Sequence, residues 1–143
     1  MAKIEIIEGE VFNDHRGQIR SLNNWKLDGV RRTYTIIHPD DSVMRGWHGH
    51  QHERKWFYCV KGSWRCAFVE IDDWDNPSPS LKPTVVELSE NDSRLVCVPA
   101  GYANMMKALQ PDSILQVFSD VPLPEAYADS WRYPAELWTE GIF

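Results

Sequence analysis

Hydrophobic and polar residues alternate in short stretches along most of this chain, and turn-forming Gly, Pro, Asn and Asp residues separate the stretches. Alternation with a period of two is typical of β-strands that bury one face. No stretch keeps the period of a long helix, and only residues 124–130 are predicted to form a short one. The pattern predicts an all-β sandwich or barrel, because a doubled or closed sheet leaves few exposed edges. The predicted strands cover residues 3–7, 18–22, 31–38, 55–61, 63–72, 84–88, 94–98 and 113–120.

Length and composition predict one globular domain over residues 1–143. Hydrophobic residues make up 43% and charged residues 25% of the chain, as in ordinary globular proteins. No apolar run approaches the ~18–20 residues of a membrane span, and the N-terminus lacks the basic and apolar regions of a signal peptide. We therefore expect a cytoplasmic protein that does not bind membranes. The cysteines Cys59, Cys66 and Cys97 show no metal-binding spacing and fit reduced thiols in the core.

The charge pattern argues against binding to nucleic acid. The net charge is −6, and no basic run is longer than Arg31-Arg32. A protein that binds nucleic acid without sequence preference needs a basic surface. An anionic small molecule would have to be held by a few converging arginines.

The densest cluster of chemically active residues lies at positions 45–55. Three of the five histidines, His48, His50 and His52, alternate there. Alternate residues of an extended segment share one face, so these imidazoles are expected to converge inside the mouth of a barrel. The spacing predicts that at least one of them is functional, since a neutral imidazole is a fitting general base near neutral pH.

The segment from His48 to Gly62 resembles the first motif of the cupin superfamily, in which a His-x-His pair precedes a glutamate and a glycine. Residues 92–104 echo the second cupin motif. The resemblance implies a cupin jelly roll, or double-stranded β-helix barrel. Two positions differ from metal-binding cupins, because Lys55 replaces the glutamate and Asn104 replaces the histidine of the second motif. A lysine cation opposes a divalent metal, and asparagine is a poor ligand for zinc or iron, so we expect no metal and no other cofactor.

Among metal-free cupins, the chain is similar to the RmlC-like epimerases and isomerases of nucleotide-linked keto-sugars. Five short motifs of that group occur here in the same order and with similar spacing. They are Asp14-His15-Arg16-Gly17, Arg45-Gly46-Trp47-His48, residues 75–80, Leu88-Ser89 and residues 98–104.

The resemblance is closer to the FdtA-like sugar 3,4-ketoisomerases and the C-terminal domain of WxcM-like proteins than to the dTDP-4-dehydrorhamnose 3,5-epimerases. The epimerases use one histidine and a tyrosine on a late strand, where this chain has Gln116. The ketoisomerases have the His-x-His pair and a tyrosine from an earlier strand. The resemblance thus implies that His48, His50 and Tyr34 are catalytic. His48 matches the catalytic histidine of both branches and is expected to be the indispensable base.

The same resemblance implies a site for a nucleotide-diphosphate sugar, most closely a dTDP-sugar. Arg45 is the first candidate for the diphosphate, and Arg16 is a second one that a homodimer would supply from the partner subunit. Lys55, Arg45 and Asn104 are candidates for stabilising an enolate-like oxygen, and Gln116 is a further candidate for binding the substrate. Stacking on the base is expected from Trp47, Trp56 or Tyr102.

The expected function is therefore 3,4-ketoisomerisation of a nucleotide-diphosphate 4-keto-6-deoxy sugar, as in the biosynthesis of surface polysaccharides or glycosides. The N-terminal stretches 3–7 and 18–22 offer strand edges that predict a homodimer. A 3,5-epimerase is the first alternative, and a cupin that only binds a nucleotide sugar is an alternative of another class. A metal-dependent cupin dioxygenase is a more distant one.

Overall fold

The computed structural model describes residues 3–143, which form twelve β-strands and one short helix. The strands β1 to β12 cover, in chain order, Glu5–Glu8, Glu10–Asp14, Gly17–Ser21, Arg32–His38, Met44–His50, Lys55–Lys61, Ser63–Glu70, Thr84–Ser89, Arg94–Val98, Tyr102–Ala108, Ser113–Ser119 and Trp131–Arg132. The helix α1 covers Leu123–Ala128 and lies between β11 and β12. Among the described residues, no helix is long or apolar enough to cross a membrane.

Ten of the strands form two antiparallel five-stranded sheets. The strand order is β1-β9-β6-β11-β4 in the first sheet and β12-β5-β10-β7-β8 in the second. Phe57 of the first sheet packs on Phe68 of the second, with ring centroids 5.6 Å apart, and both rings belong to the main apolar core. The core therefore lies between the sheets, and the predicted all-β jelly-roll fold is confirmed.

A second apolar cluster covers the outer face of the second sheet. Trp47 of β5 and Met105 of β10 are buried there against residues of the C-terminal tail. The indole of Trp138 in that tail contacts Trp47 edge to face, with ring centroids 5.3 Å apart. The tail thus buries a sheet face that would otherwise be exposed, at a benefit of about 25 cal/mol for each Å² of apolar surface covered.

The two N-terminal strands were predicted to have free edges that could pair with another subunit, and the structure differs from this prediction. The first, β1, pairs with β9 of the same chain, with Glu5 opposite Cys97. The strands β2 and β3 form a separate two-stranded hairpin. Its Phe12 and Ile19 side chains are 57% and 62% exposed. Any pairing between subunits through this region would therefore involve the hairpin more than β1.

The prediction was accurate for strands with strong alternation and incomplete elsewhere. The strands β4, β6, β7, β8, β9 and β11 lie where the pattern predicts them. The strand β10 was not predicted, because six of its seven residues are buried and a strand buried on both faces lacks polar alternation. The short helix was predicted one residue too late at its start, since α1 begins at Leu123.

Candidate active site

A β-bulge in β5 brings the basic and imidazole side chains of this strand to the same side. Opposite β10, His48 pairs with Asn104, whereas the next residue of β10, Met105, pairs with Gly46. Trp47 is therefore the extra residue of the bulge. Without it, Arg45 and His48 would point to opposite faces of the sheet, because strand side chains alternate. With it, both line one cavity.

Gly46 allows the two strands to approach each other at the bulge. Its φ of +138° lies in a region that L-residues rarely adopt. A Cβ atom at this position would lie 2.5 Å from the Asn104 carbonyl oxygen and 2.7 Å from Met105 Cα. Only glycine fits between Arg45 and Trp47 without displacing β10.

The cavity has a volume of about 400 Å³. Strands β4, β5, β6, β10 and β12 and the helix α1 contribute residues to its lining. A cavity of this size is in the range that holds small-molecule ligands. Its lining combines Ile36, Ile37, Met106, Leu123 and Ala126 with the polar residues Arg32, Tyr34, Thr35, Arg45, His48, His50, Glu53, Lys55, Asn104, Tyr127, Ser130 and Arg132.

The two cavity histidines lie side by side, with ring centroids 4.3 Å apart. His50 Nδ1 lies 2.8 Å from the backbone carbonyl oxygen of Asp129. A carbonyl can only accept, so Nδ1 carries the hydrogen in neutral His50, and its Nε2 is left as the basic nitrogen. Among the described residues, that Nε2 has no hydrogen-bond partner. His48 Nε2 forms a hydrogen bond of 2.8 Å with the Ser130 hydroxyl.

Both imidazoles are neutral at physiological pH. Burial, the largest cause, together with the neighbouring His50, Lys55 and Arg132 lowers the pKa of His48 to about 3, while Glu53 acts in the opposite direction. Burial and Lys55 also lower the pKa of His50 to about 4, against the raising effect of the Asp129 carbonyl. Both rings are therefore available as proton acceptors, because a general base must be unprotonated to act.

The remaining polar lining is rich in cations. Arg32, Arg45, Lys55 and Arg132 line the cavity together with the carboxylate of Glu53. The Arg32 guanidinium donates to Glu53 Oε2 at 2.8 Å, which leaves Arg45, Lys55 and Arg132 with no ion pair among the described residues. Guanidinium groups bind phosphate oxygens through two parallel hydrogen bonds, so this charge distribution suits a phosphorylated ligand.

Lys55 and Tyr34 form a hydrogen-bonded pair inside the cavity. The buried Lys55 ammonium donates to the Tyr34 hydroxyl oxygen at 3.1 Å. Because the ammonium occupies a lone pair of that oxygen, the phenol hydrogen remains free to donate to a ligand. The ammonium would also stabilise negative charge on the phenol oxygen or on a nearby ligand oxygen.

The structure brings six of the predicted site residues together and leaves five outside the cavity. Tyr34, Arg45, His48, His50, Lys55 and Asn104 all line it. Trp47 is 1% exposed in the cluster under the C-terminal tail, because the bulge turns it outward, and it is not available for stacking. The Tyr102 ring packs in the core and its hydroxyl donates to Glu70.

Gln116 and Arg16 also lie elsewhere. Gln116 donates to the Thr33 hydroxyl, and Gln116 and Thr33 both lie outside the cavity. Gln116 points away from the core because it alternates with Leu115 and Val117, which are packed in the core. Arg16 lies at the turn of the β2–β3 hairpin in an ion pair of 2.6 Å with Asp14. Trp56, the third candidate for stacking, packs against Trp25 with ring centroids 5.8 Å apart and also lies outside the cavity.

Sequence reasoning gave no role to several polar residues that line the cavity. Arg32 lies two residues before Tyr34 on β4, and this spacing could have indicated that both side chains face the cavity. Glu53 lies within the histidine cluster, but its position matches no cupin ligand. Ser130 and Arg132 approach the histidines only because β12 pairs with β5, with Arg132 opposite His48.

The described residues contain no group of three or more His, Cys, Asp or Glu side chains arranged to hold a metal ion. The nearest donor set consists of the two imidazoles and Glu53, whose carboxylate already accepts from Arg32 and Ser119. Lys55 and Asn104 stand beside the histidines, as expected from the sequence. The expected absence of a metal remains a prediction.

Comparison with known proteins identifies the sequence family and the fold of the chain. Residues 2–130 match the family model described as FdtA, WxcM-like, C-terminal. None of the curated proteins matches the sequence.

Several solved structures are similar. A double mutant of the QdtA 3,4-ketoisomerase from Thermoanaerobacterium thermosaccharolyticum, in complex with TDP, is 20% identical, with a TM-score of 0.73 over 93% of this chain and 89% of that one. A 3,4-ketoisomerase from Helicobacter canadensis is 16% identical, with a TM-score of 0.72 over 96% of both chains. The rmlC epimerase of Mycobacterium tuberculosis is 22% identical, with a TM-score of 0.73 over 92% of this chain and 69% of that one. These likenesses confirm the predicted RmlC-like cupin fold.

Proposed function

The chain belongs to the FdtA family, described as WxcM-like, C-terminal, and from that premise we propose that it is a sugar-nucleotide isomerase. The reaction we propose is 3,4-ketoisomerisation of a nucleotide-diphosphate 4-keto-6-deoxy sugar. One observation carries the proposal: two adjacent neutral histidines share a cavity with a Lys–Tyr pair and two arginines that have no carboxylate partner among the described residues.

The chemistry of the reaction fits these groups. The C3 hydrogen is acidified by the neighbouring C4 carbonyl, and its removal with protonation of O4 gives an enediol. The product forms when C4 is protonated and the O3 proton leaves. The reaction therefore breaks C3–H and O3–H bonds and forms C4–H and O4–H bonds, with no net change in oxidation state. Two bases and one oxygen acid are sufficient, and the cavity contains them.

We assign the transfer of the carbon-bound proton to His48, as the family resemblance implies. His48 removes this proton from C3 and, as an imidazolium, delivers it to C4. Tyr34 protonates O4, aided by the Lys55 ammonium that donates to its oxygen. His50 accepts the O3 proton through its free Nε2 and passes it to the Tyr34 oxygen. Each group is then restored for another turnover.

The cations would hold the nucleotide end of the substrate. Arg45 and Arg132 approach the cavity from β5 and β12, and guanidinium groups suit a diphosphate. The related ketoisomerase QdtA has been solved in complex with TDP-4-keto-6-deoxyglucose, which supports a ligand of this class for the present chain. Thymidine as the nucleoside is part of the proposal.

Incubation of the protein with dTDP-4-keto-6-deoxyglucose in D₂O tests the proposal. We expect deuterium to appear at C3 of the 4-keto substrate, through reversal of enediol formation, and the 3-keto isomer to accumulate, both observed by ¹H NMR. Epimerisation at C3 and C5 without a shift of the ketone would favour the 3,5-epimerase alternative. Tight binding of the sugar nucleotide with no exchange at C3 or C5 would favour a protein that only binds it.

We also propose that the protein is a homodimer in which the β2–β3 hairpin contacts the partner subunit. Phe12 and Ile19 expose large apolar surfaces on this hairpin, and its turn carries Arg16, which would then reach the site of the partner. Sedimentation at micromolar concentration is expected to give a dimer. Replacing both Phe12 and Ile19 by Ser should yield monomers.

A matched control for the hairpin variant is Val85→Ser, because Val85 is an exposed apolar residue on β8, at the edge of the second sheet. This variant should remain dimeric. A wild-type protein that sediments as a monomer would contradict the dimer and remove Arg16 from the site.

A further inference from the structure

Glu53 stands behind His50 as a buried carboxylate. It is 2% exposed and, among the described residues, it is the one acidic side chain that lines the cavity. Its Oε1 lies 3.2 Å from His50 Nδ1. Its Oε2 accepts hydrogen bonds from the Arg32 guanidinium and the Ser119 hydroxyl. The carboxylate is therefore held in place by two neighbouring strands, with one oxygen directed at the imidazole.

The backbone also fixes this arrangement. The carboxylate of Asp129, at the end of α1, accepts from the backbone amides of Gln51, His52 and Glu53. The carbonyl of the same residue accepts from His50 Nδ1. The loop after β5 and the ring of His50 are thus both hydrogen-bonded to Asp129. The distance from Glu53 to His50 therefore does not depend on an exposed side chain.

The surroundings of the two histidines differ in one respect. Either ring would become an imidazolium on taking a proton, and the positive charges of Lys55 and of nearby arginines oppose this at both rings. A buried charge is tolerated only when it is paired. His50 has the Glu53 carboxylate within ion-pair distance, whereas His48 has Ser130 and, among the described residues, no carboxylate at that distance.

We propose that Glu53 is a positioning residue that allows His50 to hold a positive charge when it accepts the O3 proton of the sugar. The inference rests on the proposed ketoisomerase function and adds a residue that the family resemblance did not imply. The carboxylate plays the part that an aspartate plays behind the histidine of a catalytic triad, where it orients the ring and stabilises the imidazolium. Removal of the carboxylate charge should impair the transfer of the O3 proton to His50 and leave the removal of the C3 proton by His48 unchanged.

The test is the Glu53→Gln variant, which keeps the shape of the side chain and removes its charge. In D₂O, we expect formation of the 3-keto product to fall by roughly 10²-fold, while deuterium exchange at C3 stays within about threefold of wild type. Glu53→Asp keeps the charge and should recover part of product formation. Glu87→Gln is the matched control, because Glu87 of β8 forms an exposed ion pair with Arg65 of β7; it should change neither rate.

A second measurement does not depend on turnover. Titration of the His50 ring protons by NMR in the ligand-free protein should show a lower pKa in Glu53→Gln than in wild type, and an unchanged one in Glu87→Gln. Thermal unfolding shows whether the variants are folded. Equal losses of exchange and product, or no loss of product, would overturn the inference. An unchanged pKa of His50 in Glu53→Gln would overturn the inference, whether or not the wild type isomerises the sugar. Absence of isomerisation by the wild type would refute only the proposed function.

Discussion

The His48→Asn variant is expected to lose both product formation and deuterium exchange at C3, each by roughly 10³-fold or more, the scale of a lost general base. Asparagine retains a polar side chain, but its amide does not accept a proton near neutral pH. The measurement is ¹H NMR of dTDP-4-keto-6-deoxyglucose incubated with each protein in D₂O.

Binding and pH dependence provide the controls for this variant. The affinity for dTDP, measured by calorimetry, should stay within about twofold of wild type, because the phosphates are assigned to Arg45 and Arg132. In the wild type, burial lowers the pKa of His48 to about 3, so the imidazole stays neutral and C3 exchange should vary little between pH 8 and pH 5. Exchange that persists in His48→Asn, or a wild-type rate that halves near pH 6.5, would contradict the assignment of His48 as the buried base.

The His50→Asn variant should separate the two proton transfers. In a 3,4-ketoisomerase, His48 still forms the enediol, so C3 exchange should continue, while product formation falls by roughly 10²–10³-fold because the O3 proton has no acceptor. In a 3,5-epimerase the same variant should be nearly silent. Both rates come from one NMR time course, with dTDP affinity as the control for an intact site.

Replacement of His52 is the matched control for both histidine variants. His52 is exposed and does not line the cavity, although it shares the alternation of the other two. His52→Asn should retain both exchange and product formation. A loss of activity comparable to that of His50→Asn would mean that the cavity as described here is not where the reaction occurs.

The alternation of His48, His50 and His52 was informative for two of the three residues. The prediction that they share a face requires a continuous strand, but β5 ends at His50. The amides of Gln51, His52 and Glu53 then turn toward the Asp129 carboxylate. The turn leaves His52 in solvent and buries Glu53, which local spacing alone does not reveal.

For the aromatic residues, sequence position does not separate those buried in the core from those that line the cavity. The sequence offers many candidates for a stacking surface. The bulge directs Trp47 to the outer face of the second sheet, where the tail covers it. Tyr127 of α1, which was not a candidate, lines the cavity with 74% of its surface exposed.

The all-β class, most of the strands and the proximity of the two imidazoles could be predicted from the sequence, because they depend on local alternation and on motifs a few residues long. Tertiary structure decided which charges surround the imidazoles. The bulge at Trp47 turns Arg45 inward, Glu53 is buried against Arg32 and Ser119 from other strands, and β12 brings Arg132 opposite His48. Each of these contacts joins residues from strands or loops that only strand pairing brings together. Whether a strand has a bulge, and which strand pairs beside it, depends on the packing of the whole sheet and not on a period that can be seen in any one segment.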